Sequence, residues 1–252
     1  MTSPIDSFTS NLFAGQTVYV SGGTSGIGLA IATGFARLGA AVIAAGSSAA
    51  KIARLSAEPP VAGMRFVQLN VTDRNAVGKA FDGLKRLDVL VNAAGIARPD
   101  KEYERETFQE VMEINLNSVM WLSSAARPLL AAQGGTIINT ASMLSYLTDV
   151  AVPAYGASKA GLLGLTRHLA HAWARDGIRV NAVTPGYIAT DMTTGLQEDA
   201  ALTGRILHRC AIKRWGTPDD IVGAAVFLAS PAAAYVTATD IAVDGGFVSG
   251  GF

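Results

Sequence analysis

A glycine-rich turn near the N-terminus constrains the fold more than any other feature of this chain. An apolar run at 17–20 leads into the motif SGGTSGIG at 21–28, and apolar residues then recur at helical spacing up to Leu38. A strand that enters a helix through such a turn directs backbone N–H groups and the positive helix end at one point, which favours a phosphate. The sequence therefore predicts a strand, a phosphate-binding turn and a helix in this order.

The glycines of this turn have separate expected roles. Their spacing is Gly-x-x-x-Gly-x-Gly, which differs from the commoner Gly-x-Gly-x-x-Gly. Gly22 is expected to form the turn, Gly26 to let a pyrophosphate approach the backbone, and Gly28 to pack the helix against the strand.

Apolar strands and helical stretches alternate along the whole chain. Strands are expected at 17–21, 41–45, 65–70, 89–92, 136–140, 179–184 and 240–243, and helices at 27–38, 74–85, 106–133, 155–175 and 218–229. This alternation predicts an α/β fold, with one doubly wound, Rossmann-type domain over 1–252, a seven-stranded parallel sheet and helices on both faces. Ligands of such sheets bind at the carboxyl ends of the strands.

A tyrosine and a lysine four residues apart are the first candidates for chemistry. Tyr155 and Lys159 lie in a predicted helix, so both side chains project from one face. A phenol ordinarily titrates near pH 10, and a neighbouring ammonium lowers that pKa toward a value useful for acid–base catalysis. Ser142, thirteen residues before Tyr155, could hold a substrate oxygen against the phenol. Taken alone, the spacing also fits an amphipathic helix with a surface lysine.

The strand expected at 89–92 ends in a turn of small residues, Asn92-Ala93-Ala94-Gly95. Small side chains there would let a flat cofactor lie against the end of the strand. Together with the glycine-rich turn and the tyrosine–lysine pair, this motif resembles the short-chain dehydrogenase/reductase family, and the resemblance covers nearly the whole chain. Ala93 stands where the family's Asn-Asn-Ala-Gly signature has its second Asn.

The resemblance implies a set of site residues. The implied catalytic residues are Asn115, Ser142, Tyr155 and Lys159, of which Asn115 helps to hold a proton-relay water. The segment 185–190 would seat the nicotinamide carboxamide, mainly through Ile188 and Thr190. The cofactor-binding residues, expected from the turn and from the resemblance together, are Gly22, Thr24, Ser25, Gly26, Ile27, Gly28, Gly46, Ser47, Asn70, Val71, Asn92, Ala93, Ala94, Gly95, Tyr155, Lys159, Pro185, Gly186, Ile188 and Thr190.

The resemblance further implies an enzyme, an NAD(P)-dependent oxidoreductase that interconverts a secondary alcohol and a ketone by hydride transfer. In the reductive direction Tyr155 would donate its proton to the carbonyl oxygen, and Ser142 would hydrogen-bond that oxygen. Lys159 would lower the pKa of Tyr155 and hold the ribose of the nicotinamide. In the oxidative direction Tyr155 would act as the base.

The residue after the second strand bears on the choice between NAD and NADP. An acidic residue there would bond the adenosine ribose and repel a 2′-phosphate, but this chain has Gly46. Ser47 and Ser48 could donate hydrogen bonds to a phosphate, although no arginine directly follows the strand. Lys51 and Arg54 are more simply solvated helix charges. We expect NADP in preference to NAD.

The substrate is expected to be chosen by the segment 191–213, which mixes apolar and polar residues and could form a mobile helical lid. The residues around Ser142 and Tyr155 are similar to those of gluconate and 2-deoxy-gluconate dehydrogenases, which implies a small-molecule sugar, polyol or sugar acid. Reductases of 3-ketoacyl-carrier-protein groups and of xenobiotic ketones share the same motifs. A non-catalytic dinucleotide sensor is the remote alternative, because all four catalytic positions are intact.

Composition narrows the remaining classes of function. The formal net charge is +0, so no basic field points to nucleic acid or to an anionic membrane surface. No stretch approaches the roughly 18 apolar residues of a membrane span, and 1–13 lacks the pattern of a signal peptide. We expect a cytoplasmic protein, and the resemblance implies a homotetramer with the helices at 106–133 and 155–175 at one interface.

The histidines and the single cysteine are weak candidates for a site. His168 and His171 are three residues apart on a predicted helix, a spacing that metal ligands can use, but no acidic or cysteine partner lies nearby in sequence. No metal is expected. His208 and Cys210 lie in the substrate segment, where a structural role is the simpler interpretation and a substrate contact stays open.

Overall fold

The computed structural model describes residues 4–250, and within this range seven parallel strands form one sheet in the order β3-β2-β1-β4-β5-β6-β7. The strands are β1 (Thr17–Ser21), β2 (Ala41–Gly46), β3 (Arg65–Gln68), β4 (Val89–Asn92), β5 (Thr136–Thr140), β6 (Arg179–Pro185) and β7 (Asp240–Val243). The helices are α1 (Gly26–Arg37), α2 (Ala49–Ala57), α3 (Arg74–Gly78), α4 (Arg105–Met112), α5 (Ser118–Ala131), α6 (Pro153–Ala172), α7 (Thr194–Glu198), α8 (Ala200–Arg209) and α9 (Pro218–Ala229). Residues 1–3 and 251–252, which the predicted domain included, lie outside the described range.

The predicted fold class is confirmed, and all seven predicted strands are present. β1, β4, β5 and β7 have the predicted bounds, β2 and β6 extend one residue further, and β3 ends two residues earlier. The strand order reverses between β1 and β4. In doubly wound sheets this reversal opens a crevice at the carboxyl ends of the strands, where ligands bind.

Helices cover both faces of the sheet. On one face α1, α2 and α9 enclose an apolar cluster that includes Phe35 and Val222. On the other face α3, α5 and α6 pack against Leu90 and Ile137. Adjacent residues of β1 serve opposite faces, as their alternation along a strand requires. None of the helices within residues 4–250 is long and apolar enough to cross a membrane.

The helix predicted at 74–85 is wrong over most of its length. Asp73 caps its start by accepting hydrogen bonds from the backbone N–H groups of Asn75 and Ala76. The helix ends at Gly78, and the N–H groups of Ala80, Asp82 and Leu84 then bond to carbonyls three residues back. Gly83 adopts a left-handed conformation with a φ of 77°. Glycine takes this conformation at little cost, so the last of the successive tight turns after α3 is not helical.

The long helix predicted at 106–133 is interrupted in its middle. α4 and α5 are joined by a π-helical turn at Glu113–Asn117, a feature that apolar periodicity does not reveal. The predicted helix at 155–175 begins two residues earlier, at Pro153, and ends at Ala172. α2 was not predicted; it forms because Ser48 caps it by accepting a hydrogen bond from the Lys51 N–H.

Candidate active site

The carboxyl ends of the central strands and the start of α6 surround one cleft. The glycine-rich turn after β1 and the turn after β4 form its outer part, and residues from α6 and from the segment after β5 form its inner end. The predicted site residues that line the cleft are Gly22, Ser25, Gly26, Ile27, Gly28, Gly46, Ser47, Asn70, Val71, Ala93, Ala94, Gly95, Ser142, Tyr155, Lys159, Pro185, Gly186, Ile188 and Thr190. Thr24, Asn92 and Asn115 do not line it and lie behind its walls.

The glycine-rich turn packs too tightly for larger residues. A Cβ atom on Gly22 would lie 2.5 Å from the Ala94 nitrogen, and one on Gly28 would lie 2.2 Å from the Gly22 oxygen. Ser25, the N-cap residue of α1, makes no side-chain cap hydrogen bond. The first N–H groups of α1 therefore face the cleft without a side chain over them, and this arrangement fits the pyrophosphate of a dinucleotide.

Thr24 leaves no room for a side chain at Gly46, the last residue of β2. A Cβ atom on Gly46 would lie 2.2 Å from the Thr24 hydroxyl oxygen. Thr24 is buried, so a side chain at position 46 would require it to move. Beyond Gly46, the Lys51 ammonium lies 3.4 Å from the Asp191 carboxylate, and both of these side chains are substantially exposed. This ion pair joins α2 to the segment after Thr190 across the mouth of the cleft.

Two buried polar atoms near the cleft have no hydrogen-bond partner within residues 4–250. One is the Asn92 side-chain oxygen; its amide nitrogen donates to Asn139 at 2.9 Å and to Ser123 at 3.2 Å. The other is the Thr140 hydroxyl, which belongs to a residue that lines the cleft. An unpaired buried hydroxyl costs free energy unless a ligand or water satisfies it, so Thr140 too fits a cleft that is completed by a polar ligand.

Ser142, Tyr155 and Lys159 meet at the inner end of the cleft. Tyr155 and Lys159 lie one turn apart on α6, with the Lys159 Nζ atom 5.6 Å from the centre of the Tyr155 ring. Lys159 is buried and donates to the Thr140 carbonyl at 2.7 Å. Ser142 follows β5 and hydrogen-bonds the Tyr155 phenol. The expected grouping of these three side chains is therefore what the fold produces.

Asn115 lies behind the lysine, in the π-helical turn. Its side-chain oxygen accepts from the Ile96 N–H at 2.9 Å, and its amide donates to the Ile96 carbonyl at 2.9 Å and to the Ser158 hydroxyl at 3.1 Å. A Cβ atom on Gly95 would lie 3.4 Å from the Lys159 Nζ atom and 3.5 Å from the Asn115 oxygen. Asn115 and Lys159 therefore converge on one point beside Gly95.

The pKa of Tyr155 is raised above its ordinary value. Burial and the negative charge of Glu102 raise it, and these effects outweigh the Ser142 hydrogen bond, which lowers it. Burial also lowers the pKa of Lys159 to about 8. The net pKa of Tyr155 is therefore raised, because desolvation acts on both side chains and favours their neutral forms. The lowering of the tyrosine pKa by Lys159 stays a prediction.

Glu102 is a site residue that the sequence did not reveal. It is only 1% exposed, and its carboxylate accepts from the Tyr155 backbone N–H at 2.8 Å. The only hint in the sequence is indirect: Val152, which precedes α6, has no side-chain acceptor to cap that helix. Nothing in the residues around Glu102 indicates which helix it would reach.

Cys210 and His208 of the segment 191–213 have packing and backbone contacts. Among the described residues no group of three His, Cys, Asp or Glu side chains could hold a metal ion. Cys210 is buried in a cluster with Met143, Ile206 and Phe247, and burial raises the pKa of its thiol. The His208 carbonyl accepts from the Lys213 ammonium at 2.5 Å. The contacts of Cys210 are those of a structural residue, and the His208 contact involves only its backbone.

The lowered pKa of Lys159 leads to a prediction about stability. Because the folded state binds this proton less tightly than the unfolded state, the buried ammonium opposes folding by about 3 kcal/mol below pH 8. That penalty should disappear as the pH rises from about 8 to 10.5. The difference in unfolding free energy between Lys159→Met and wild type should therefore shift in favour of wild type across this interval.

Denaturant unfolding at a series of pH values measures this difference. Lys79→Met, at an exposed position, controls for the replacement of a lysine by methionine. A Lys159→Met difference that stays constant over the interval would contradict the prediction.

Comparison with known proteins identifies the family. A family model described as enoyl-(acyl carrier protein) reductase matches residues 10–248. The chain is 38% identical over 245 residues to the 2-dehydro-3-deoxy-D-gluconate 5-dehydrogenase of Escherichia coli (strain K12), with 93% of this chain and 96% of that protein covered. It is 39% identical over 241 residues to the galactitol 2-dehydrogenase (L-tagatose-forming) of Cereibacter sphaeroides, with 92% and 95% covered.

A solved structure extends the likeness to three dimensions. The gluconate 5-dehydrogenase of Burkholderia cenocepacia J2315, in complex with NADP and tartrate, matches with a TM-score of 0.87 and 31% identity over 96% of this chain and 99% of that one. The resemblance drawn from the motifs is thereby confirmed. The chain belongs to the short-chain dehydrogenase/reductase family and is an NAD(P)-dependent oxidoreductase that interconverts a secondary alcohol and a ketone.

Proposed function

We propose that this enzyme interconverts a secondary alcohol of a sugar acid or polyol and the corresponding ketone, with NADP as the hydride carrier. The observation that carries the proposal is the convergence of Ser142, Tyr155 and Lys159 at the inner end of a cleft whose outer part is the glycine-rich turn. The relatives named above act, by their names, on a deoxygluconate derivative, on galactitol and on gluconate, and so support a polyhydroxylated substrate. We place the reaction in the cytoplasm, where such cofactors are regenerated.

Tyr155 is the proposed general acid and base. In the reductive direction its hydroxyl donates a proton to the substrate oxygen, and in the oxidative direction it accepts that proton. Ser142, which hydrogen-bonds the phenol, is placed to donate to the same oxygen and to stabilise the negative charge that develops on it. A bound nicotinamide would supply or accept the hydride at the neighbouring carbon.

Lys159 and Asn115 are proposed to complete the catalytic set. One N–H of the Lys159 ammonium is held by the Thr140 carbonyl, which leaves two for the ribose hydroxyls of the cofactor. With a pKa of about 8, this ammonium can release and regain a proton near neutral pH. Asn115 faces the same point beside Gly95 and is proposed to hold the relay water that exchanges that proton with solvent.

We assign the dinucleotide to the remaining cleft residues. The α1 N-terminus and Gly26 are proposed to bind the pyrophosphate, and Ile188 and Thr190 to seat the nicotinamide carboxamide. Asn70 and Val71 line the cleft and are proposed to contact the adenine. Thr24 and Asn92 support this surface from behind.

The adenosine end of the cleft favours NADP over NAD. Gly46 places no carboxylate at the end of β2, so nothing there repels a 2′-phosphate. The sequence alone indicates a solvated helix charge at Lys51. In the structure, its ammonium reaches across the mouth of the cleft toward Asp191. An exposed pair of this kind is weak, so Lys51 is free to turn toward a phosphate. The relative from Burkholderia cenocepacia holds NADP.

The segment 191–213 is proposed to act as a lid over the substrate. Asp191, Met192 and Thr193 line the cleft, and the Met192 side chain is largely exposed. At the other end of the segment, Ile206 of α8 is packed against the cluster that contains Phe247. One end is therefore anchored while the other borders the cleft, as closure over a substrate would require.

The helix pair α5–α6 presents an apolar face that supports a homotetramer. Trp121 is 45% exposed and borders a groove lined by Leu116, Leu165 and two glycines of α6. Exposed apolar patches of this kind are typical of interaction sites. We propose that a second copy of the chain covers this face.

Replacement of Tyr155 by Phe tests the catalytic assignment. The change removes the hydroxyl and keeps the ring, so we expect kcat to fall by about 10³-fold while the Kd for the reduced cofactor stays within about twofold. Steady-state absorbance and cofactor fluorescence measure the two quantities. Tyr146→Phe, whose hydroxyl bonds Asp240 outside the cleft, is the matched control. Near-normal turnover by the Tyr155 variant would exclude the assignment.

A screen with two cofactors tests the substrate class. NADP and NAD are offered with sugar acids, polyols, 3-keto esters and cyclic ketones, and kcat/KM is compared. Highest values for sugar acids or polyols support the proposal, and highest values for 3-keto esters would instead indicate a ketoacyl reductase. Binding of the dinucleotide without turnover of any compound would indicate a sensor.

Replacement of Lys51 by Met tests the cofactor preference. Loss of a charged contact to the 2′-phosphate should lower kcat/KM for NADP by about tenfold and leave the value for NAD nearly unchanged. Arg54→Met, three residues further along α2 and exposed, is the control. An equal effect on both cofactors would show that Lys51 does not read the phosphate.

Replacement of Trp121 by Asp tests the interface. A carboxylate in the apolar groove should shift the protein from a tetramer to smaller species, because an unpaired charge is costly to bury. Light scattering after size-exclusion chromatography measures the mass. Asn75→Asp, which adds a charge at an exposed position of α3, should leave the mass unchanged. A tetramer in both variants would refute this interface.

A further inference from the structure

A buried carboxylate outside the catalytic set contacts the backbone of Tyr155. Glu102 lies between β4 and α4, and its two oxygens accept from the backbone N–H groups of Tyr155 and Arg98, each at 2.8 Å. The other buried carboxylate of the described chain, Asp88, is paired with the guanidinium of Arg86. Glu102 has no such ion pair within residues 4–250 and is held by backbone groups alone.

The first turn of α6 depends on this carboxylate. Val152 at the N-cap position has no side-chain acceptor, and Pro153 has no N–H to donate. The first N–H groups of a helix have no partner within it, so without Glu102 the Tyr155 N–H would be left without one. The positive end of this 20-residue helix also favours a negative charge. A residue 53 positions upstream thus replaces the missing local cap.

Glu102 also acts on the phenol through its charge. The polar and charged groups that contact Tyr155 or act on its phenol through their charge are Ser142 after β5, Lys159 on α6 and Glu102 before α4. The Ser142 hydrogen bond lowers the pKa of Tyr155, whereas burial and the Glu102 charge raise it. A neutral residue at position 102 could cap the helix, but it would not raise the pKa of Tyr155 through its charge.

We propose that Glu102 is a positioning residue for the alcohol–ketone reaction, which fixes the first turn of α6 and holds a negative charge close to the acid–base tyrosine. The inference rests on the proposed role of Tyr155 as acid and base. It implies that the carboxylate favours the protonated phenol, the form that donates to a carbonyl oxygen. Removal of the charge should therefore let the phenol ionise at lower pH.

Two variants separate the charge from the cap. Glu102→Gln keeps the shape and one carbonyl oxygen but removes the charge, whereas Glu102→Ala removes both. Glu104→Gln is the matched control, since Glu104 is an exposed residue of the same segment and starts α4 rather than α6. The pH dependence of oxidative kcat/KM is measured for each, with a substrate found in the two-cofactor screen.

In Glu102→Gln we expect the rise of oxidative kcat/KM with pH to occur at lower pH than in wild type. In Glu102→Ala we expect kcat to fall by about tenfold or more, because a misplaced catalytic group is ineffective, with a smaller loss in Glu102→Gln. Glu104→Gln should match wild type. Titration of phenolate absorbance in the near ultraviolet should show the same shift for Glu102→Gln without any turnover, and the shift should vanish when Tyr155 is also replaced by Phe.

Two outcomes would overturn the inference. One is a pH profile and a phenolate titration of Glu102→Gln that both coincide with wild type. The other is a loss of kcat that is equal in both variants and parallels their loss of thermal stability. A residue that only caps the helix would give this result. Failure of the proposed function itself would be recognised separately, because Tyr155→Phe would then remain active. If Glu102→Ala does not fold, the pH profile and the phenolate titration of Glu102→Gln test the inference.

Discussion

The hydrogen bond from the buried Lys159 ammonium to the Thr140 carbonyl sets the geometry of the active site. It ties α6 to the last residue of β5 at 2.7 Å. Ser142 lies two residues beyond that carbonyl, and Tyr155 lies one turn before Lys159 on the helix. A single contact between a helix and a strand end therefore brings three side chains to one place. The cost is a buried charge, which is why the pKa of Lys159 falls to about 8.

Electrostatics at this site oppose a simple activation of the phenol by the lysine. Desolvation raises the pKa of Tyr155 and lowers that of Lys159, so the neutral form of each side chain is more favourable than it is in water. The negative charge of Glu102 raises the pKa of Tyr155 further. The chain's own groups thus favour the protonated phenol, the state needed to donate to a carbonyl oxygen, and leave the lysine as the group that exchanges its proton more readily.

The parts of the fold that depend on local patterns could be predicted from the sequence. Buried parallel strands appear as short apolar runs, and the glycine-rich turn is constrained by its own spacing. Ser142, Tyr155 and Lys159 could be grouped because the carboxyl ends of parallel strands share one edge. The π-helical turn that presents Asn115 could not be predicted, since its residues have an ordinary helical composition. Nor could Glu102, whose partner is 53 residues away.

The lack of an acidic residue at position 46 has a cause in the packing of the neighbouring turn. The sequence shows only that Gly46 stands where an acidic residue would bond the adenosine ribose. In the structure, the Thr24 side chain occupies the space that a side chain at position 46 would need, since a Cβ atom there would lie 2.2 Å from the Thr24 hydroxyl. The two residues come from different strand–helix turns, yet a side chain at position 46 requires Thr24 to move. An acid at position 46 would first have to displace a buried threonine of the phosphate-binding turn. The lack of an acidic residue at the end of β2 is thus coupled to the packing of the turn that is proposed to hold the pyrophosphate.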